Sequence, residues 1–165
     1  MEGLVNMISL MRDYYPTFEM YQALRNQLME ILTDADLIFQ PHGHNETLGA
    51  LCLEIGEIEA SYIQSFKTFT QKFSYRKEEK GLEWSVDHLE AWFGDLDREL
   101  KSVLEALTEK DLSDRSVDRG GGFILPLHIQ LDVYKEALLI FYGKVSVYLK
   151  AMGKERPQQW QEWIG

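Results

Sequence analysis

Asn45-Glu46-Thr47-Leu48-Gly49-Ala50-Leu51-Cys52-Leu53-Glu54-Ile55-Gly56-Glu57-Ile58-Glu59-Ala60-Ser61-Tyr62-Ile63-Gln64-Ser65-Phe66-Lys67 is the stretch whose reading decides the fold. Leu48, Leu51, Ile55, Ile58, Tyr62, Phe66 and Phe69 recur at steps of three and four, which stacks them on one face of a helix. Asn45 is placed to cap that helix by accepting from the backbone N–H of Thr47 or Leu48, and Glu46 suits the positive end of its dipole. The helix is expected to reach about Phe73. Glu54 sits beside the apolar face, either at the rim of a buried seam or inside a pocket.

Working outward, three further stripes have the same period. Upstream, Phe18, Tyr21, Leu24, Leu28, Ile31 and Leu32 mark a first long helix after Pro16. The segment Gly3 to Asp13, with Leu4, Met7, Ile8 and Met11, reads as a short extra N-terminal helix or arm over residues 1–13. Thr33-Asp34-Ala35-Asp36 and Pro41-His42-Gly43-His44 carry turn chemistry. Downstream, Leu82, Val86, Leu89, Phe93, Leu96, Leu100, Val103 and Leu107 define a third helix. A long connection from Thr108 ends in Gly120-Gly121-Gly122. A fourth helix is expected from Ile124 to Met152, stopped by Gly153. In the tail 154–165, Trp160 and Trp163 are spaced to dock a last turn on the bundle. Four long helices with one apolar face each pack those faces together, so the expected fold is all-α: one antiparallel four-helix bundle spanning residues 1–165, with Leu51, Ile55, Phe93, Leu96, Leu138 and Phe141 in its core.

The 165 residues suffice for one substantial core. A net charge of −10 argues against nucleic acid and anionic membrane surfaces, which recruit Lys and Arg. No apolar run has the length of a membrane span. Met1-Glu2 opens without a basic region or cleavage site, so no signal peptide is expected. The single cysteine, Cys52, excludes an intrachain disulfide and reads as a small helix-packing residue, which fits a cytoplasmic setting.

Chemistry-bearing residues are few. His42 and His44 supply two loop nitrogens, fewer than a zinc site needs. His88 lies beside the stripe of the third helix. His128 and Asp132 are four apart on the fourth, and with Glu54 from the second helix they would suit a divalent metal such as zinc or nickel. No phosphate loop follows a strand, and no nucleophile has an evident base partner.

The run Leu48 to Glu59 resembles the second-helix signature of the DinB/YfiT-like superfamily, and Gly143-Lys144-Val145-Ser146-Val147-Tyr148-Leu149-Lys150-Ala151-Met152-Gly153 resembles that family's fourth-helix ending. Thr108 to Val117 is similar to its loop after the third helix, and Pro157 to Trp160 to its tail. The resemblance implies a four-helix bundle, often dimeric. Many members hold a divalent metal through one histidine on the second helix and two on the fourth, and some are thiol transferases or hydrolase-like enzymes. The matching positions here are Glu54, Ala137 and Phe141. Alanine and phenylalanine cannot ligate a metal, so the family's metal chemistry is not expected to carry over.

The reading favoured on these grounds is a metal-free bundle of unknown biochemical role, a homodimer. It would take a small ligand between helices near Glu54, Tyr134, Ala137 and Phe141, with the Tyr134 hydroxyl as partner of Glu54. The alternative is a metal-dependent transferase or hydrolase with its site relocated to Glu54, His128 and Asp132. That register lies nine residues, about 13 Å, from the family positions along the fourth helix.

Overall fold

The computed structural model describes residues 8–165. Its elements run α1 (Tyr15–Ile31), the single-turn α2 (Asp34–Leu37), α3 (Leu48–Thr68), α4 (Val86–Glu105), the short α5 (Glu109–Asp114), a hairpin of β1 (Ser116–Asp118) and β2 (Ile124–Pro126), α6 (Leu127–Ala151) and α7 (Gln158–Trp163). The long helices α1, α3, α4 and α6 form the expected all-α bundle. Leu51, Ile55, Phe93, Leu96, Leu138 and Phe141 are all buried in it. Among the described residues no helix is long and apolar enough to cross a membrane.

Local chemistry moves several boundaries from those expected. Thr47, not Asn45, caps α3, its hydroxyl accepting from the Ala50 N–H at 3.1 Å. Asn45 is engaged in the preceding loop, donating to the His42 carbonyl. The helix stops at Thr68 because Phe69 adopts the left-handed conformation, φ +58°. The chain then lies alongside β1: the Asp118 N–H donates to Phe69 O at 3.0 Å, and the Gln71 N–H donates to Asp118 O at 2.8 Å. Ile124 starts a strand rather than a helix. Pro126 explains this, since a proline pushes the residue before it into extended backbone and then suits a helix start. At the N-terminal side, a π-helical turn at Leu10–Tyr14 leads straight into α1, so Pro16 sits in a first turn instead of separating an arm. Leu4 and Met7 of that expected arm lie outside the described residues. In the tail, Trp160 is buried and donates from Nε1 to Leu24 O at 2.9 Å, while Trp163 is exposed.

The bundle departs from an antiparallel one in two pairs. α3 and α6 are antiparallel, with Ser65 beside Gln130 at one end and the Tyr148 hydroxyl on Glu46 O at the other. α1 and α6 are parallel: Tyr14 meets Asp132 near their starts, and Lys154, just past α6, reaches Ile31 O. α3 and α4 are also parallel, Gly49 lying against Glu83 and Gly56 against Trp92. Residues 69–85 must therefore climb back along the bundle, and do so beside α3, where the Lys77 N–H donates to Glu57 at 3.0 Å.

Gly49 and Gly56 are seven apart on one face of α3, and they set how closely the parallel pair approaches. A Cβ on Gly49 would overlap the Glu83 carbonyl, and one on Gly56 would overlap the Trp92 ring. Gly56→Ala should therefore destabilise the protein by about 1–3 kcal/mol in urea unfolding, although alanine is the better helix former. Unchanged or raised stability would show that Trp92 yields freely.

Candidate functional site

Two polar assemblies lie inside the bundle, and a recess opens beside one of them. The first is centred on Arg25 of α1, which is fully buried. Its guanidinium makes ion pairs with Glu59 of α3 and Asp97 of α4, lies 4.4 Å over the Phe93 ring, and donates to Phe93 O at 3.3 Å. The Tyr134 hydroxyl of α6 donates to the other Glu59 oxygen at 3.2 Å. Burial pushes the Glu59 and Asp97 carboxyls above their usual range, and Arg25 opposes that push. Burial also works against the Arg25 charge, but the two carboxylates outweigh it and its pKa moves up.

The second assembly joins α3, α6 and the chain after α3. Gln130 is fully buried. Its amide nitrogen donates to Ser65 Oγ at 2.9 Å and to Gln71 Oε1 at 2.6 Å. Gln71 in turn donates to Ser61 Oγ at 3.2 Å. The Gln130 oxygen accepts from Arg119 Nη1 at 2.8 Å. Ser61 also lines a recess of about 290 Å³ with Glu54, Glu57, Ile58, Phe73 and Arg76. One wall is α3 and the other is the turn and following chain of residues 73–76. Arg76 is held there by donating to Phe73 O at 3.0 Å and Tyr75 O at 2.6 Å.

Of the residues singled out from sequence, Glu54 is exposed and lines this recess. It does not meet Tyr134, whose hydroxyl partner is Glu59. Five residues at 100° each turn Glu59 well away from Glu54 around the helix, and only Glu59 points inward. Phe141 is buried against Tyr142, ring centroids 5.4 Å apart, and Ala137 is half-buried against the core. Tyr134, Ala137 and Phe141 do not line the recess that holds Glu54. Ala137 and Phe141 carry no atom that can ligate a metal.

His128 and Asp132 line a different recess, of about 260 Å³, with Ser9 and Tyr14. Asp132 accepts from the Tyr14 hydroxyl, and the Lys135 ammonium stands 3.2 Å away. The Tyr14 hydrogen bond holds its carboxyl below the usual range. Glu54 is not among the residues around that recess, and no three His, Cys, Asp or Glu side chains converge on a metal position among the described residues. His42, His44 and His88 are exposed. Cys52 is buried and its thiol is pushed up to about 12, leaving no thiolate nucleophile near neutral pH.

Sequence reasoning missed Arg25, Glu59, Gln130 and Arg119. Glu59 had a signal, since it stands four after Ile55 and three before Tyr62, on the stripe itself. Gln130 likewise precedes Tyr134 by one turn.

No protein-family profile matches the chain. No curated protein is similar to it in sequence. Among solved structures, a DinB-like protein of Bacillus subtilis, YjoA, superposes with a TM-score of 0.70 at 21% identity, over 86% of this chain and 94% of that one. The two chains share a fold, which is DinB-like.

Proposed function

We propose that this protein of DinB-like fold binds a small organic ligand without a catalytic metal, in the recess lined by Glu54, Ile58, Ser61, Phe73 and Arg76. The observation that carries the reading is the replacement at the three metal positions: Glu54 faces solvent at the recess, Ala137 offers a methyl group, and Phe141 is packed in the core. What remains beside Glu54 is a concave surface of mixed chemistry. An aromatic ring, two carboxylates and a guanidinium surround a floor tied to a buried hydrogen-bond relay. Such a surface suits organic recognition. The alternative, a metal-dependent transferase or hydrolase using Glu54, His128 and Asp132, is less supported, because Glu54 lines one recess and the other two residues line another.

The test is to incubate the purified protein with zinc, nickel or manganese, remove the excess and measure bound metal. The reading predicts none above background. Near-stoichiometric metal that disappears in Glu54→Ala contradicts it and favours the enzyme.

The proposed macromolecular partner is a second copy of the chain. On α6, Ile140 and Val147 are 59% and 61% exposed, and half-buried Val133 stands seven residues before Ile140. A seven-residue spacing of apolar side chains is the pattern of a helix face that meets another helix. Light scattering over a dilution series should give a dimer mass that Ile140→Glu reduces to the monomer. A monomer at high micromolar concentration contradicts the assignment.

A further inference from the structure

Arg119 stands at the end of β1, next to the glycine turn. Its guanidinium lies over three rings: Tyr62 at 5.8 Å, Phe73 at 5.2 Å and Phe123 at 5.8 Å. One nitrogen, Nη1, donates to Gln130 Oε1 at 2.8 Å. Gln130 is itself fixed by its two donated bonds to Ser65 and Gln71, so the buried relay sets the plane of the arginine. The other guanidinium N–H groups have no partner among the described residues. This is notable in a chain with 27 Asp and Glu residues. Arg12, Arg25, Arg76, Arg98 and Arg115 each have a carboxylate within ion-pair distance, whereas Arg119 and Arg156 have none among the described residues; Arg156 donates to the Ser146 hydroxyl and stands on no ring cluster of this kind.

The surroundings are unusual as well. Phe73 is 48% exposed and Phe123 is 58% exposed, so two large rings beside the cation remain open to solvent. Gly120, Gly121 and Gly122 all have positive φ, a conformation that L side chains rarely adopt, and they close the turn that carries Phe123 next to Arg119. Phe73 also lines the Glu54 recess, whereas Arg119 does not. A guanidinium stacked on rings is poorly hydrated yet keeps its fork for a planar oxyanion. The exposed rings supply an apolar platform for whatever carries that oxyanion.

We infer that Arg119 is the anchor of an organic-anion site, taking the oxyanion of a ligand whose apolar, ring-sized body lies on Phe73 and Phe123. This site meets the Glu54 recess only at Phe73 and is separate from it, since neither Arg119 nor Phe123 lines that recess. A carboxylate and a phosphate monoester both present the required oxygens, and they are separated by probe.

The experiment titrates the full chain with benzoate, phenyl phosphate, benzamide and benzylamine by ligand-observed NMR. Benzoate or phenyl phosphate should saturate, with a dissociation constant on the order of millimolar for ligands this small. The preferred anion identifies the headgroup. Arg119→Gln, with its fold checked by circular dichroism, should weaken that binding about tenfold or more. Independently of any variant, the bound anion should slow phenylglyoxal modification of Arg119 in the unmodified chain, read by peptide mass mapping. Benzamide binding as well as benzoate overturns the assignment, as does unchanged anion binding by folded Arg119→Gln or an absence of protection. Benzamide or benzylamine binding that Phe73→Ala abolishes also overturns the anion assignment, as does the absence of binding by any probe.

Discussion

Arg25 is the constraint on which the bundle depends. Its guanidinium is buried where α1, α3 and α4 meet, paired with Glu59 and Asp97, and Tyr134 brings α6 to the same carboxylate. Burying a charge costs several kcal/mol unless the partners are close and their remaining oxygens are satisfied. Here Glu59 has Arg25 on one oxygen and a phenol on the other. The arrangement is met in one registry only. Sliding α1, α3 or α4 by a turn would separate Arg25 from a carboxylate, and sliding α6 would take the Tyr134 phenol from Glu59. Arg25 thus discriminates against alternative packings that uniform leucine stripes would tolerate.

That registry bears on the recess. With Glu59 turned inward, Glu54 and Glu57 are carried to the outer side of α3. The parallel course of α3 and α4 then obliges residues 69–85 to return along that same side, and Phe73 and Arg76 arrive opposite Glu54. The glycines facing Trp92 and Glu83 let α4 come close enough for Asp97 to reach Arg25. The ion pair, the glycine seam and the recess are consequences of one another's geometry. The Gln130 relay adds a second fixed point at the lower end, where it orients Arg119.

Much of this fold was legible in the apolar spacing. All six residues expected in the core are buried, because a 3.6-residue period has one reading over twenty residues. Chain direction was not legible: antiparallel and parallel neighbours present the same stripe, and extending α3 to Phe73 made the connection after it look too short for a return. Boundaries failed where a single residue overruled the period, as Pro126 did for α6 and Phe69 for the end of α3. The site was less legible still. Glu54 was read as the acid that matters because it stands beside the apolar stripe and matches a ligand position of the family the sequence resembles. The acid that faces inward is Glu59, whose place on the stripe was visible but whose partner, Arg25, is 34 residues away in sequence. A buried ion pair between distant residues leaves no pattern that joins its members: Glu59 interrupts its own stripe, but nothing local points from it to Arg25 among 27% charged residues.

The most direct test is urea unfolding of Arg25→Met at neutral and at acid pH. Methionine keeps the apolar stem and removes the cation, leaving buried Glu59 and half-buried Asp97 without their counterion. The variant should lose about 3–5 kcal/mol at neutral pH. The sign with pH follows from the carboxyls. Burial already raises both, and losing Arg25 raises them further, so the folded variant holds protons that the unfolded chain releases. The contribution of these two carboxyls to the variant's stability is therefore fully present below the ordinary carboxylate range and is lost as pH rises through the raised folded values. The deficit relative to the unmodified chain should shrink on acidification. A loss below about 1 kcal/mol at neutral pH, unchanged in acid, would contradict the view that the Arg25 network sets the registry of the bundle.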